Sequence, residues 1–110
     1  MNHGLTENTV ARMQSGLAHF PQIEKAILYG SRALGTYRTG SDIDLTLCGS
    51  ALNDSLLSQI SQILDDLLLP YKMDLSLMAS LTHPQLLDHI HRVGVVFYEK
   101  IPLPQQSATL

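Results

Sequence analysis

The chain has 110 residues, of which 45% are hydrophobic and 15% are charged, and its formal net charge is -3. A chain of this size supports one domain, no apolar run is long enough to cross a bilayer, and the acidic balance argues against a nucleic-acid binder, which needs a basic surface. The polar N-terminus does not resemble a signal peptide, and Cys48 is the single cysteine, so we expect a cytoplasmic protein without an intrachain disulfide or a cysteine-rich zinc site.

The first predicted element is an amphipathic helix over residues 6–19. Apolar residues recur there at helical spacing, Thr6 is placed to cap the N-terminus, and Pro21 closes the segment. The apolar stretch from Ile23 to Tyr29 follows and predicts a buried strand.

A glycine-bounded turn comes next, in the run Gly30-Ser31-Arg32-Ala33-Leu34-Gly35. Gly30 lets the backbone turn sharply and approach a ligand closely. A short helix beginning at Ser31 or Arg32 would direct its first N–H groups and its positive dipole end at an anion above the strand. The turn therefore predicts a phosphate site, and a triphosphate is the occupant that we expect.

Two carboxylates follow in the segment Ser41-Asp42-Ile43-Asp44-Leu45. In a strand, Asp42 and Asp44 would share one face with Cα atoms roughly 6 to 7 Å apart, while Ile43 and Leu45 face the core. Parallel carboxylates repel each other and need a cation, and hard oxygen ligands suit Mg²⁺ or Mn²⁺. The alternative is a solvated turn, which the alternation with apolar residues disfavours.

A third carboxylate, Asp74, lies in a second alternating segment, Tyr71–Met78. We expect this segment to be a strand and Asp74 to be the third metal ligand. The alternative role for Asp74 is an ion pair with Lys72 or Lys25.

The remaining elements are two helices and a last strand. A helix with a wide leucine-rich face begins at Asn53 or Asp54 and is stopped by Pro70. A second helix begins after Thr82 or His83 and runs to Gly94, and residues 95–98 form the last strand. The histidines look scattered, and the two-residue spacing of 89 and 91 on a helix argues against a zinc site. We expect residues 1–101 to form one domain and residues 102–110 to be a flexible tail.

These motifs together resemble the nucleotidyltransferase superfamily that includes DNA polymerase β and kanamycin nucleotidyltransferase. The matching residues are Tyr29 to Gly35, Ser41 to Leu45, and Asp74. The size of the chain makes it most similar to the minimal nucleotidyltransferases, or MNT proteins, some of which are antitoxins paired with HEPN-type toxins. The resemblance implies an α/β (α+β) fold, a small mixed sheet of about four strands flanked by helices, as in polymerase β. It also implies transfer of a nucleoside monophosphate from a nucleoside triphosphate, AMP from ATP in our expectation, to a hydroxyl group.

The resemblance also assigns roles to residues in a two-metal mechanism. The expected catalytic and metal-binding residues are Asp42, Asp44 and Asp74, and the expected nucleotide-binding residues are Gly30, Ser31, Arg32 and Ser41. Asp74 is also placed to accept the proton of the acceptor hydroxyl, and Arg38 is a weaker candidate for a phosphate contact. The alternatives are a helix cap for Ser31, a solvent-facing charge for Arg32 and a turn-forming role for Ser41.

Larger nucleotidyltransferases carry a second, helical domain for which this chain has no room, and the three adjacent leucines at 67–69 cannot all enter one small core. We therefore expect another polypeptide to complete the site, and the resemblance implies a helical HEPN-type protein. Self-association, or simply a leucine-rich core helix, is the alternative. Two further functions stay open: a binding module that neutralises a helical partner without catalysis, and a transferase acting on a small molecule such as an antibiotic.

Overall fold

Residues 3–101 are described by a computed structural model; the predicted tail, 102–110, lies outside this range, so the predicted division at residue 101 stays a prediction. In chain order the elements are α1 (Glu7–Ala18), β1 (Lys25–Tyr29), α2 (Gly30–Leu34), β2 (Ile43–Cys48), α3 (Asp54–Asp65), β3 (Met73–Leu77), a 3₁₀ turn (Met78–Ser80), α4 (Pro84–Val93) and β4 (Val95–Glu99). Within this range, no helix is long and apolar enough to span a membrane.

The four strands form one mixed sheet in the order β3-β2-β1-β4. β1 runs antiparallel to both β2 and β4, whereas β2 and β3 are parallel. The parallel pair is joined through α3, because a parallel connection needs a crossover. The predicted small mixed sheet flanked by helices is confirmed.

Each of the three longer helices has its first turn capped by a side chain. Thr6, Asn53 and His83 each accept a hydrogen bond from the backbone N–H three residues further on, at 3.0, 2.9 and 3.4 Å. Pro84 occupies the first turn of α4, where its missing N–H costs nothing. These three helix starts agree with the starts predicted from the sequence.

The hydrophobic core lies between one face of the sheet and the helices α1 and α3. Apolar side chains of the central strands alternate into it, and both helices contribute residues at helical spacing. The fully buried members from these elements include Met13, Leu17, Ala26, Leu28, Ile43, Leu45 and Ile60. Because the core takes one side of each strand, the polar residues between them face the other side, which carries the candidate site.

The end of α3 differs from the prediction. The helix stops at Asp65 rather than at Pro70, and the Leu68 N–H donates to the Asp65 carbonyl at 3.1 Å. Leu68 then adopts a left-handed conformation with φ 56° and is 87% exposed, while Leu67 and Leu69 pack partly against the core. The chain therefore reverses before it reaches Pro70 and turns towards β3.

The second strand also begins later than predicted. β2 starts at Ile43, so Asp44 lies in the strand whereas Asp42 precedes it. The first strand starts at Lys25 rather than Ile23, and the short helix starts at Gly30 itself.

Candidate functional site

Tyr29, Asp44 and Asp74 form a row across three neighbouring strands. Tyr29 on β1 is the register partner of Asp44 on β2, and Asp44 is the partner of Asp74 on β3. Register partners face the same side of a sheet, and adjacent strands lie about 4.8 Å apart. The structure thus brings together two carboxylates that are 30 positions apart in the sequence, and we call the three side chains the acid row.

The third carboxylate, Asp42, lies one residue before β2 and is exposed. Burial raises the pKa of Asp44, and the charges of Asp74 and then Asp42 raise it further, while His89 acts in the opposite direction. The charges of both other carboxylates therefore act on Asp44, and its ionised form is unfavourable without a compensating cation.

The alternative role predicted for Asp74, an ion pair, does not occur. Asp74 is exposed, and the salt bridge found in the described part of the chain joins Arg92 to Asp88 on α4. The carboxylate of Asp74 is therefore available to a ligand.

The turn after β1 brings the backbone against the acid row. Gly30 has φ +76°, a conformation that favours glycine, and a Cβ at this position would collide with the Asp44 carboxylate oxygen. The residue is therefore required to be glycine for two independent reasons. Any ligand held by the Gly30 or Ser31 N–H groups would sit next to Asp44.

Two residues at this site were not predicted from the sequence. The Gly30 N–H donates to His89 Nε2 at 3.0 Å, and the His89 ring meets the Tyr29 ring edge-on at 6.2 Å between centroids. Burial raises the pKa of the Tyr29 hydroxyl, and the charges of Asp74 and Asp44 raise it further. The sequence predicted Tyr29 only as a packed strand residue, and nothing in it marks His89, because its position depends on α4 packing against β1 and α2.

Arg32 is buried, so the solvent-facing alternative for it is wrong. Its side chain is only 2% exposed, and the guanidinium donates to the Ser41 carbonyl at 2.9 and 3.2 Å and to the His3 carbonyl at 2.9 Å. It also lies over the rings of Tyr71 and Tyr37, at 4.9 and 5.5 Å. The guanidinium ties α2 to the loop that leads into Asp42.

Ser41 and Arg38 close that loop. The Ser41 hydroxyl oxygen accepts a hydrogen bond from the Arg38 N–H at 2.8 Å, and the Ser41 N–H donates to the Arg38 carbonyl at 3.0 Å. Ser41 therefore takes part in a turn with Arg38, whose side chain is exposed. Ser31 is half-buried, and its carbonyl accepts from the N–H groups of Gly35 and Thr36, which ends α2.

The donor set of the acid row fits a metal ion whose coordination a substrate completes. Among residues 3–101, no group of three His, Cys, Asp or Glu side chains converges tightly enough to form a metal site on its own. Mg²⁺ usually takes one or two protein carboxylates and fills its other positions with water and phosphate oxygens. Asp44 and Asp74, with Asp42 nearby, match that chemistry.

The chain matches a protein-family model over most of its length. The family model described as polymerase beta, nucleotidyltransferase, matches residues 12–102. This range includes the glycine turn and all three carboxylates. A comparison with curated proteins finds no significant match.

Solved structures share the fold. A chain of a toxin-antitoxin crystal structure with AMP-PNP aligns with a TM-score of 0.65 at 23% identity, covering 87% of this chain and 75% of that chain. A chain of the tri-AMPylated Shewanella oneidensis HEPN toxin in complex with MNT antitoxin gives a TM-score of 0.65 at 17% identity, with coverages of 87% and 74%. A chain of the toxin-antitoxin MntA-HepT gives 0.64 at 18% identity, with coverages of 86% and 74%. At these identities, the likeness establishes the fold alone.

Proposed function

The chain belongs to the polymerase beta nucleotidyltransferase family, and we propose that it moves AMP from ATP to a hydroxyl group on a helical partner protein of the HEPN type. The observation that carries this proposal is the acid row, in which Asp44 lies opposite Asp74 and against the Gly30 turn. A carboxylate pair beside the backbone N–H groups of a glycine turn is an arrangement that a magnesium–triphosphate complex can use. ATP is the proposed donor, and the cytoplasm, where ATP is plentiful, is the proposed compartment.

In the proposed reaction, the acceptor oxygen attacks the α-phosphorus of the nucleotide. The bond from that phosphorus to the β-phosphate oxygen breaks, pyrophosphate leaves, and the acceptor's proton passes to a base, for which Asp74 is the candidate. Asp42, Asp44 and Asp74 would hold Mg²⁺ or Mn²⁺, which when bound neutralises phosphate charge and lowers the pKa of the attacking hydroxyl. The N–H groups of Gly30 and Ser31 would hold the β- and γ-phosphates. Arg32 and Ser41 fix the loop that carries Asp42 and so orient the site indirectly.

Two kinds of observation support a protein partner. One solved structure with this fold is a tri-AMPylated HEPN toxin in complex with an MNT antitoxin, and two others are a toxin-antitoxin with AMP-PNP and the toxin-antitoxin MntA-HepT. Leu68 and Ile101 are 87% and 86% exposed, and Val96 is 55% exposed. Covering these side chains with a partner would be favourable, because it removes their apolar surface from water. We propose that the chain acts as an antitoxin by modifying that partner.

The test is the intact mass of a HEPN-type partner co-expressed with this chain. The wild-type chain is expected to add whole AMP units to the partner, and an Asp42→Asn/Asp44→Asn variant is expected to add none. Asp65→Asn on α3 serves as the matched control, because it removes an exposed carboxylate outside the acid row. An unmodified partner beside the wild-type chain would contradict the proposal.

The same experiment separates a second function, a binding module that neutralises the partner without chemistry. An unmodified partner that nevertheless co-purifies and loses its toxicity would favour that function. Transfer of AMP to a small molecule in place of the protein would favour the remaining function, a transferase acting on a small molecule such as an antibiotic.

A further inference from the structure

His89 contacts the candidate site, although no part of the family motif includes it. Its Nε2 accepts the hydrogen bond from the Gly30 N–H at 3.0 Å, and its ring lies edge-on to Tyr29. The side chain is half-buried on α4, and the next residue, Ile90, anchors that helix in the core. His89 thus reaches the turn from an element that is distant in sequence.

The Gly30 N–H is also a donor that the proposed function offers to the triphosphate. A backbone N–H makes one well-aligned hydrogen bond. A nitrogen that accepts a hydrogen bond carries no proton, so the ring presents its Nε2 lone pair to Gly30 where a phosphate oxygen would present one of its own. The imidazole and the nucleotide therefore compete for the same hydrogen.

We infer that His89 occupies the nucleotide site of the free protein, and that its imidazole must leave the Gly30 N–H before a triphosphate can bind. The inference rests on the proposed function and deepens it, since it names a residue that sets nucleotide affinity without taking part in the transfer. Giving up one neutral hydrogen bond weakens binding about two- to tenfold. Because the His89 ring is only half-buried, it can move towards solvent when it leaves the Gly30 N–H.

The first test measures the dissociation constant of AMP-PNP with Mg²⁺ by calorimetry. His89→Ala removes the competing acceptor and is expected to bind AMP-PNP about two- to tenfold more tightly than the wild-type chain. His89→Gln keeps an acceptor of similar reach and is expected to stay near the wild-type value. His91→Ala, an exposed histidine on the same helix, is the control and is expected to change nothing. Unchanged or weaker binding by His89→Ala would overturn the inference, and weaker binding would make His89 a phosphate contact instead.

The second test needs no nucleotide. The backbone amide resonance of Gly30 is expected to shift in His89→Ala and to stay in place in His91→Ala, because only the first loses the acceptor of that N–H. A Gly30 resonance that does not respond to His89→Ala would overturn the inference and leave the proposed function standing. Failure of the wild-type chain to bind any nucleoside triphosphate, with the Gly30 shift present, would instead count against the proposed function.

Discussion

Asp44 is held where an ionised carboxylate is costly. Burial and the neighbouring charges of Asp74 and Asp42 raise its pKa above the ordinary value of 3.8. The folded protein therefore keeps this proton at pH values where the unfolded chain has already lost it. By linkage, the free energy of unfolding falls as the pH rises from about that value through the raised pKa.

Asp44→Asn is expected to remove this decline and to stabilise the protein at neutral pH. Like charges placed opposite each other on neighbouring strands destabilise a sheet by about 0.2 to 1 kcal/mol, so we expect a gain of that size together with loss of AMP transfer. Urea unfolding between pH 4 and pH 8 measures both the gain and the pH dependence. The control is Asp65→Asn, which should not remove the decline that Asp44 causes. A destabilised Asp44→Asn protein would contradict this account of the acid row.

Substitution of Asp74 is expected to affect the rate of transfer more than nucleotide binding, because Asp74 is the proposed base. Asp74→Asn is expected to lower kcat for AMP transfer by about 10²- to 10⁴-fold, while the dissociation constant for the nucleotide changes much less. Single-turnover kinetics and calorimetry on the same variant separate the two effects. A variant that keeps its kcat but loses nucleotide affinity would make Asp74 a binding residue only.

The short helix α2 offers a matched pair of glycines, one at its first position and one directly after its end. Gly30 and Gly35 both have positive φ, at +76° and +86°, so alanine at either position costs about 1 to 2 kcal/mol of stability. Only a Cβ at Gly30 collides with Asp44; one at Gly35 has nothing within 4 Å.

Gly30→Ala is therefore expected to lose at least about tenfold more transfer activity than Gly35→Ala when the two are compared at a temperature where both variants are folded. Thermal melts and transfer rates on both variants test this comparison. Equal activity in the two variants would show that the contact between the turn and Asp44 does not matter to the reaction.

A substitution at Leu68, which lies just after α3, is expected to stabilise the protein. Leu68 has φ 56° and is 87% exposed, so its side chain contributes little packing within this chain while its backbone is strained. Asparagine tolerates the left-handed conformation, and Leu68→Asn is expected to raise the free energy of unfolding by about 0.5 to 1 kcal/mol. Urea denaturation of the isolated chain measures the gain, and a loss of stability would mean that Leu68 packs more tightly than its exposure indicates.

The sequence predicts those parts of the site whose residues are local to one segment. The turn at Gly30, the alternation around Asp44 and the strand that carries Asp74 each have a short-range pattern, and the structure places Asp44 and Asp74 in register. His89 and Arg32 have no such pattern, because their surroundings come from α4 and from His3, which reach the site only through tertiary packing. The early end of α3 was missed for a similar reason: leucines continue beyond Asp65, and only packing decides that the chain reverses there.

At the scale of the whole molecule, the sheet separates two kinds of surface. One face is packed by α1 and α3, and the other carries the acid row, with α4 contacting β1 and α2 beside it. This division explains how a single sheet of four strands can provide both a core and a site. It also leaves Asp74 of the acid row exposed, where an acceptor from outside the chain could approach it.

The most direct test of this account compares two labels on the same nucleotide. The chain and a HEPN-type partner are incubated with Mg²⁺ and with ATP labelled at either the α- or the γ-phosphate, using wild-type protein and the Asp42→Asn/Asp44→Asn variant. We predict that only the α-label reaches the partner, and only with the wild-type chain, because the acid row directs transfer of the nucleoside monophosphate. Transfer of the γ-label, or α-label transfer that survives loss of both carboxylates, would contradict a nucleotidyltransferase built on Asp42 and Asp44.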